Sequence, residues 1–546
     1  MSAPTARPPR EVFETDTDPK SADRFGTASF VKDSTVISAL SFMGVAGAFL
    51  LDVVVAATFG LGYRTDAFFI AIAVPHLVWS ILSSSTTRVL TPIFTQLLEE
   101  EGGQEVWRVF SLLANLSLIA LPLLSIAGAL LSPLILAVTG AGLQGEAASL
   151  AVALNRVLFL MLIPAGLIQV MNAVLNAHKH FAAPAGTTLL QYVIIIITVI
   201  LLQGTMGVMS VALGYILSMV GQVLILGAVL LAKGARYVPS LNYRDPVVNK
   251  AAHLMVPPLG GEVLGQSISV IERALASFLP PGSVSALAFA GRILRALDIT
   301  FLNNVVVAIL PRLSSLSTAK DLLGLKRFIS LGLKVSWAVT IPLTASILAL
   351  SGPLVRLLFQ RGAFDLQAVQ LTSSVLSLYV VGLPLLAMLR LLMTAFYSMQ
   401  DTTTPFFIRA GMLGVNLGGD LILMRVLGVA GLALATSLTY LLSAFVAAWL
   451  LRRRIGPLRL HLTRYLTKMS VAAAIMICTA IVLRAWFEPR IHTATPVILL
   501  LETTMVMSVA ALTYLLAVVL LRIEEYQKLF GWVRRRRGSP EGWTQD

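Results

Sequence analysis

Apolar residues run along this chain in long, nearly unbroken stretches, and a turn or a cluster of charge closes each one within a few residues. A helix that crosses a bilayer needs about 20 mostly apolar residues. Fourteen stretches meet that length, over approximately 34–59, 66–96, 107–138, 147–176, 184–203, 207–232, 248–278, 284–312, 325–358, 367–398, 405–425, 429–451, 464–486 and 495–521. The pattern predicts an all-α polytopic membrane protein. Prolines and glycines interrupt three of these spans: Pro75 in span two, Pro257, Pro258, Gly260 and Gly261 in span seven, and Gly382 and Pro384 in span ten. Freed backbone groups at membrane depth are tolerated where they line a cavity, so spans two, seven and ten are expected to bend.

Composition agrees with this reading. Of 546 residues, 57% are hydrophobic and 12% charged, and the mean hydropathy is +0.85; soluble domains are nearer half apolar and a quarter charged. Cys478, the single cysteine, leaves no disulfide framework, and six scattered histidines suggest no metal cluster. The net charge of +14 would raise the question of nucleic acid in a soluble protein. In a membrane protein it sets orientation, because cytoplasmic loops collect Lys and Arg. With the amino terminus placed inside, 27 of the 41 Lys and Arg fall inside and 6 outside. Arg452, Arg453, Arg454, Arg459, Arg464 and Lys468 form one inner cluster and Arg534 to Arg537 another. Both termini are therefore expected in the cytoplasm.

The organisation expected is a disordered amino terminus over 1–31, a first lobe of six spans over 32–240, and a second lobe over 241–455. Spans thirteen and fourteen follow over 456–525, with a basic tail over 526–546. The amino terminus lacks the closely following apolar region of a signal peptide. The tail arginines suit anionic lipid at the inner leaflet, or serve only to hold the last span in place. A six plus six plus two layout suggests two similar lobes, as in transporters built from repeats.

Ionisable residues inside spans carry the functional signal, since one charge at mid-bilayer costs at least about 2.5 kcal/mol and normally faces a polar interior. Asp52, Asp66, Arg88 and Arg156 lie in the first four spans; Glu262, Glu272 and Arg273 lie in span seven; Arg292, Arg295 and Asp298 in span eight; Arg390, Arg409 and Asp420 in spans ten and eleven. Arg292 and Arg295 are three apart and share a helical face. Mutual pairing at lobe contacts is the plainer alternative for any one charge, but so many are explained most simply by a wet central cavity. No Walker, HExxH or GxSxG sequence occurs, so neither an ATP-driven pump nor a hydrolase is expected.

At this point specific runs become recognisable. Asp52 through Gly62, followed by Thr65-Asp66-Ala67-Phe68-Phe69-Ile70-Ala71 and Pro75, resembles the opening of the MurJ (MviN) lipid II flippases. Gly282-Ser283-Val284-Ser285, Ala290-Gly291-Arg292-Ile293, Leu310-Pro311-Arg312, Phe359-Gln360-Arg361-Gly362-Ala363-Phe364-Asp365, and Phe396 through Pro405 continue the resemblance, which covers about 34–520. It implies the multidrug/oligosaccharidyl-lipid/polysaccharide exporter fold, with two six-helix lobes in a V and two final helices forming a groove for a lipid tail. The arginines usual in spans one and two of that family are replaced here by Val45, Leu51, Trp79 and Ser80, with His76 after Pro75.

The resemblance implies a flippase of the bacterial inner membrane, serving cell-wall biogenesis. Its cargo would be a polyprenyl-diphosphate-linked saccharide, lipid II or a related precursor. The candidates for cargo contact are Arg292, Arg295, Arg88, Arg273, Asp52 and Asp66; guanidinium groups suit phosphate oxygens. Some members hold a sodium ion among residues matching Glu272, Asn416, Asp420 and Thr436, so a sodium site is implied there. No other cofactor and no nucleic-acid partner is expected. Competing readings are a flippase for an exopolysaccharide unit, a drug/cation antiporter of the same superfamily, and a non-transporting scaffold. An antiporter for cationic drugs would favour an acidic, aromatic cavity.

Overall fold

A computed structural model describes residues 27–242, 244–457, 462–491 and 496–523. Among these every regular element is helical, because lipid offers no partner for a backbone amide or carbonyl and a helix pairs them internally. Span one is Thr27–Phe59, and spans five and six are Ala182–Met206 and Met209–Ala232. Span seven is Pro246–Ala276, span nine Leu322–Phe359, and spans eleven to fourteen are Thr403–Leu427, Val429–Ile455, Leu462–Ile491 and Pro496–Leu520. The remaining spans are each built of two helical pieces. Among the described residues eleven helices are long and apolar enough to cross, or thirteen when the two bent pairs of spans eight and ten count as one span each. Span seven is 31 residues long and stands outside that set. The first helix begins at Thr27, inside the stretch expected to be disordered. Residues 1–26 and the basic tail lie outside the described residues.

In spans two and ten the break stands where proline removes an amide, and a neighbouring span supplies the missing donor. Span two divides into Tyr63–Ala71 and Ala73–Glu100. Pro75 cannot bond the carbonyl four residues back, and the Asn155 side chain of span four donates to that Ala71 carbonyl at 2.6 Å. Span ten divides into Leu366–Val381 and Leu383–Ser398, bent by 40°. Pro384 there frees the Val380 carbonyl, which accepts from Thr344 Oγ1 of span nine at 3.2 Å. Span ten thus bends as expected, and span two is interrupted at Ile72 while its two pieces run on as one crossing helix. Span seven is different: Pro246–Ala276 is a single helix through both prolines, whose fixed φ near −65° is a value the helix itself uses, though each ring removes one backbone donor. Span eight is also bent: a π-turn over Asp298–Leu302 follows Ser283–Leu297, and just beyond it Ser283–Leu302 meets Val305–Thr318 at 42°.

The first six spans pack chiefly on one another, spans eight to twelve do likewise, span seven packs against both sets, chiefly span two of the first and span eleven of the second, and spans thirteen and fourteen lie on span nine. At the end of the bundle opposite the Arg452–Arg454 cluster the two sets meet in a tight seam. Phe289 of span eight sits among Phe69, Phe359 and Phe364, with ring centroids 5.3 to 6.0 Å apart, and Phe49 of span one reaches Phe359 at 5.6 Å. Backbone joins backbone beside this cluster: the Ala363 amide donates to the Ala57 carbonyl at 2.8 Å. Gly60 and Gly362 have φ of +63° and +57°, and a Cβ on either would fall 2.4 or 2.2 Å from the carbonyl oxygen of Ala363 or Ala57. At the basic end, the connection between spans six and seven docks through Arg108, which bonds Glu105 and, at 2.8 Å, Asp245. Burial pushes the Asp245 carboxyl up, but Arg108 and the Val247 amide outweigh it and hold the group below the ordinary carboxylate range.

The seam gives a direct test. Gly362→Ala should lower the melting temperature more than Gly234→Ala, because Gly234 shares a positive φ of +82° but has nothing within 4 Å of its missing Cβ. The shared conformational cost is about 1 kcal/mol. Equal shifts in the two variants would show that the close approach of the two loops contributes nothing.

Candidate functional site

Between the two sets of spans lies a cavity of about 1080 Å³. Its wall is made where the broken helices turn: Phe68, Phe69, Ile72 and His76 flank the break of span two, and Leu386, Leu389 and Arg390 follow that of span ten. Six arginines line it, Arg88, Arg273, Arg292, Arg295, Arg390 and Arg409, against three acids, Glu262, Glu272 and Asp298. The cavity is basic at membrane depth.

Each arginine is held differently. Arg292 crosses from span eight to span one, its Nε 2.6 Å from Asp52 Oδ2 and its Nη2 3.3 Å from Oδ1. Asp52 is buried behind it and does not itself line the cavity. A two-point carboxylate contact fixes the plane of the guanidinium and leaves its other donors for a ligand. Arg273 donates to the Phe69 carbonyl at 3.0 Å, tying span seven to span two. Arg390 pairs with Asp298 at 2.6 Å. Arg295 and Arg88 are exposed to the cavity and make no ion pair with the described residues.

Asp66 stands apart from the other candidates for cargo contact. It is 3% exposed and is not part of the cavity wall. Its Oδ2 accepts from the Gly282 amide at 2.6 Å and its Oδ1 from the Ser285 amide and hydroxyl at 2.8 and 2.7 Å. The carboxylate thus caps the first turn of span eight from a different helix, where free amides and the helix dipole favour an anion. Its acceptors are taken up within the seam, so it is placed to join the two halves rather than to meet a ligand in the cavity.

Glu272, Asn416, Asp420 and Thr436 come together from spans seven, eleven and twelve. Thr436 Oγ1 donates to Glu272 Oε1, Asn416 Nδ2 reaches Thr436 Oγ1 at 3.3 Å, and Tyr379 donates to Glu272 Oε2 at 3.1 Å. Glu272 and Thr436 border the cavity, with Asn416 and Asp420 behind them. Asp420 is fully buried, and both its carboxylate oxygens, with Asn416 Oδ1, have no hydrogen-bond partner among the described residues. Three bare acceptors in a dry place are costly. Two carboxylates, a carboxamide and a hydroxyl fit a small hard cation, which such oxygens would hold. Arg273, next in sequence to Glu272, turns toward Phe69 of span two.

Several residues of this site have no signature in the sequence. Tyr379 bonds Glu272 from 107 positions away, and nothing in span ten marks it. The rings of His76 and Trp79 meet at a tilt on the cavity wall, their centroids 5.2 Å apart; their place after Pro75 is the one available hint.

Comparison with known proteins adds to this geometry. The probable lipid II flippase MurJ of Vibrio cholerae is 28% identical over 468 residues, covering 82% of this chain and 87% of that one. That of Thermotoga maritima is 26% identical over 515 residues, covering 94% of this chain and 100% of its own length. Among solved structures, a lipid II flippase MurJ in an inward closed conformation superposes with a TM-score of 0.74 at 23% identity, over 91% of this chain and 100% of that one. An inward-facing multidrug resistance MATE family transporter of the MOP superfamily superposes at 0.67 and 16% identity, over 78% and 98%; these two likenesses establish the shared fold. The family model described as lipid II flippase MurJ matches residues 55–512, and the chain belongs to that family.

Proposed function

We propose that this protein is a flippase that carries a polyprenyl-diphosphate-linked saccharide, lipid II or a close relative, from the inner to the outer leaflet of the bacterial inner membrane. One observation carries the reading: the cavity at membrane depth is lined by six arginines and three acids. A basic cavity suits an anionic diphosphate and repels the cationic drugs of an antiporter. Arg292, preset by Asp52, with Arg295 and Arg273 would take the diphosphate, and the tail would ride in lipid along spans thirteen and fourteen. The cycle has no covalent step. Release outside requires the seam of Asp66, Gly282 and Ser285 to part while the basic end closes, so the two six-span lobes rock about the cavity. Both termini face the cytoplasm in this reading, as the lysines and arginines demand.

The cation set completes the proposal. Sodium held by Glu272, Asn416, Asp420 and Thr436 would bind spans seven, eleven and twelve together and link lobe movement to a gradient. The bare oxygens of Asp420 and Asn416 support it.

Arg292→Ala and Arg295→Ala should each weaken retention of a polyprenyl-diphosphate sugar about ten-fold, the scale of one charge-assisted hydrogen bond, with melting curves preserved for Arg295→Ala. Unchanged binding in the double variant would remove the cargo role from span eight. Sodium should raise the melting temperature more than choline at equal ionic strength, by mass action on the folded state. Asp420→Ala should erase that difference while Asp298→Asn keeps it; identical curves in both salts for the unaltered protein would refute the site. Orientation is checked separately, in a chain lacking Cys478. Gln144→Cys should react with an impermeant maleimide in intact cells and Arg236→Cys only after the membrane is opened, and the reverse pattern would invert the topology.

A further inference from the structure

Arg409 and Arg88 are not explained by a diphosphate site. The diphosphate station gathers around Arg292, whose partner Asp52 comes from span one. Asp298 lies six residues along span eight from Arg292, about 9 Å toward the basic end at 1.5 Å per residue, and it holds Arg390 there. Arg409 is 11 residues from Asp420 in span eleven, about 16 Å in the same direction. Arg88 lies on the half of span two that leads to the basic end. Span seven packs against both span two and span eleven, so these two arginines flank it on its inner half and both line the cavity.

Neither has a counter-ion. Among the described residues Arg88 and Arg409 make no ion pair, whereas Arg390 beside them is matched to Asp298. The one carboxylate on the facing stretch of span seven, Glu262, takes a hydrogen bond from Gln266 at 3.1 Å. An unmatched guanidinium at membrane depth is costly unless water or a ligand meets it. A diphosphate seated at Arg292 is too short to reach this level, and a neutral sugar would leave the charge unanswered.

We propose that Arg88 and Arg409, with Arg390, form a second anion station that takes carboxylate groups of the cargo headgroup at the far end from its diphosphate. The inference rests on the flippase reading and narrows it: the saccharide carries carboxylates, and a neutral repeat unit is a poor cargo. Each guanidinium meets a carboxylate with two parallel donors, so the headgroup is gripped at both ends and its length is sensed along with its charge.

Three probes test this in detergent or nanodiscs with the full chain: a polyprenyl diphosphate without sugar, a polyprenyl-diphosphate saccharide bearing a peptide with free carboxylates, and the same molecule with those carboxylates amidated. Arg409→Gln and Arg88→Gln should each weaken the carboxylated probe about ten-fold and leave the other two unchanged, while Arg409→Lys, which keeps the charge, should recover part of the loss. Equal weakening of all three probes would make this tier a second phosphate station and overturn the carboxylate assignment. No weakening of any probe would overturn the station itself. Arg88→Gln, at an exposed position, decides the matter if Arg409→Gln does not fold. A flippase reading that is itself mistaken shows up differently, as no binding of any probe by the unaltered protein or no effect of Arg292→Ala on the bare diphosphate.

Discussion

No backbone carbonyl can be left bare in hydrocarbon, and the best-defined breaks in these helices stand where another span takes the carbonyl up. Pro75 would leave the Ala71 carbonyl unpaired without Asn155, and Pro384 would do the same to Val380 without Thr344. Those replacements accompany the break in span two and the 40° bend in span ten. His76 and Arg390, a few residues beyond them, lie on the wall of one cavity. A proline in a membrane helix is therefore informative only together with the side chain that answers it.

The same economy governs charge. Asp66 and Asp52 lie on adjoining spans and are equally buried, yet they have opposite surroundings. Asp66 is surrounded by amides and a hydroxyl at the first turn of span eight and so fastens the lobes at one end. Asp52 meets a guanidinium and so aims it. Fully matched carboxylates hold the frame, and partly matched arginines remain to face the cavity. Asp420 is the inverse case, a buried acid with no donor among the described residues.

These arrangements also separate the members of one fold. A basic cavity and a likeness to both MurJ and MATE structures fit a single scaffold whose cargo is chosen by the side chains that line it, since function resides in the site and not in the architecture. Here the lining places the arginines chiefly on the second lobe, with Arg88 across from them and aromatic His76 and Trp79 standing in span two.

What the sequence determined by itself is what depends on runs of residues: the apolar stretches, the helical class, the family motifs and the excess of intramembrane charge. These are local properties, and lipid turns them directly into helices. Tertiary structure decided the rest. Prolines alone do not place the breaks: Pro257 and Pro258 leave span seven whole, Pro75 stands beside a break in span two, and a proline-free π-turn at Asp298 accompanies the bend of span eight. In span two the freed carbonyl is met by Asn155 of another span, which no local run of sequence reveals. Asp66 appeared to be one more cavity acid until Gly282, 216 positions away, took its carboxylate. A charge inside a span announces that something must meet it, but whether that is an amide, a guanidinium or an open cavity is fixed only when distant helices pack.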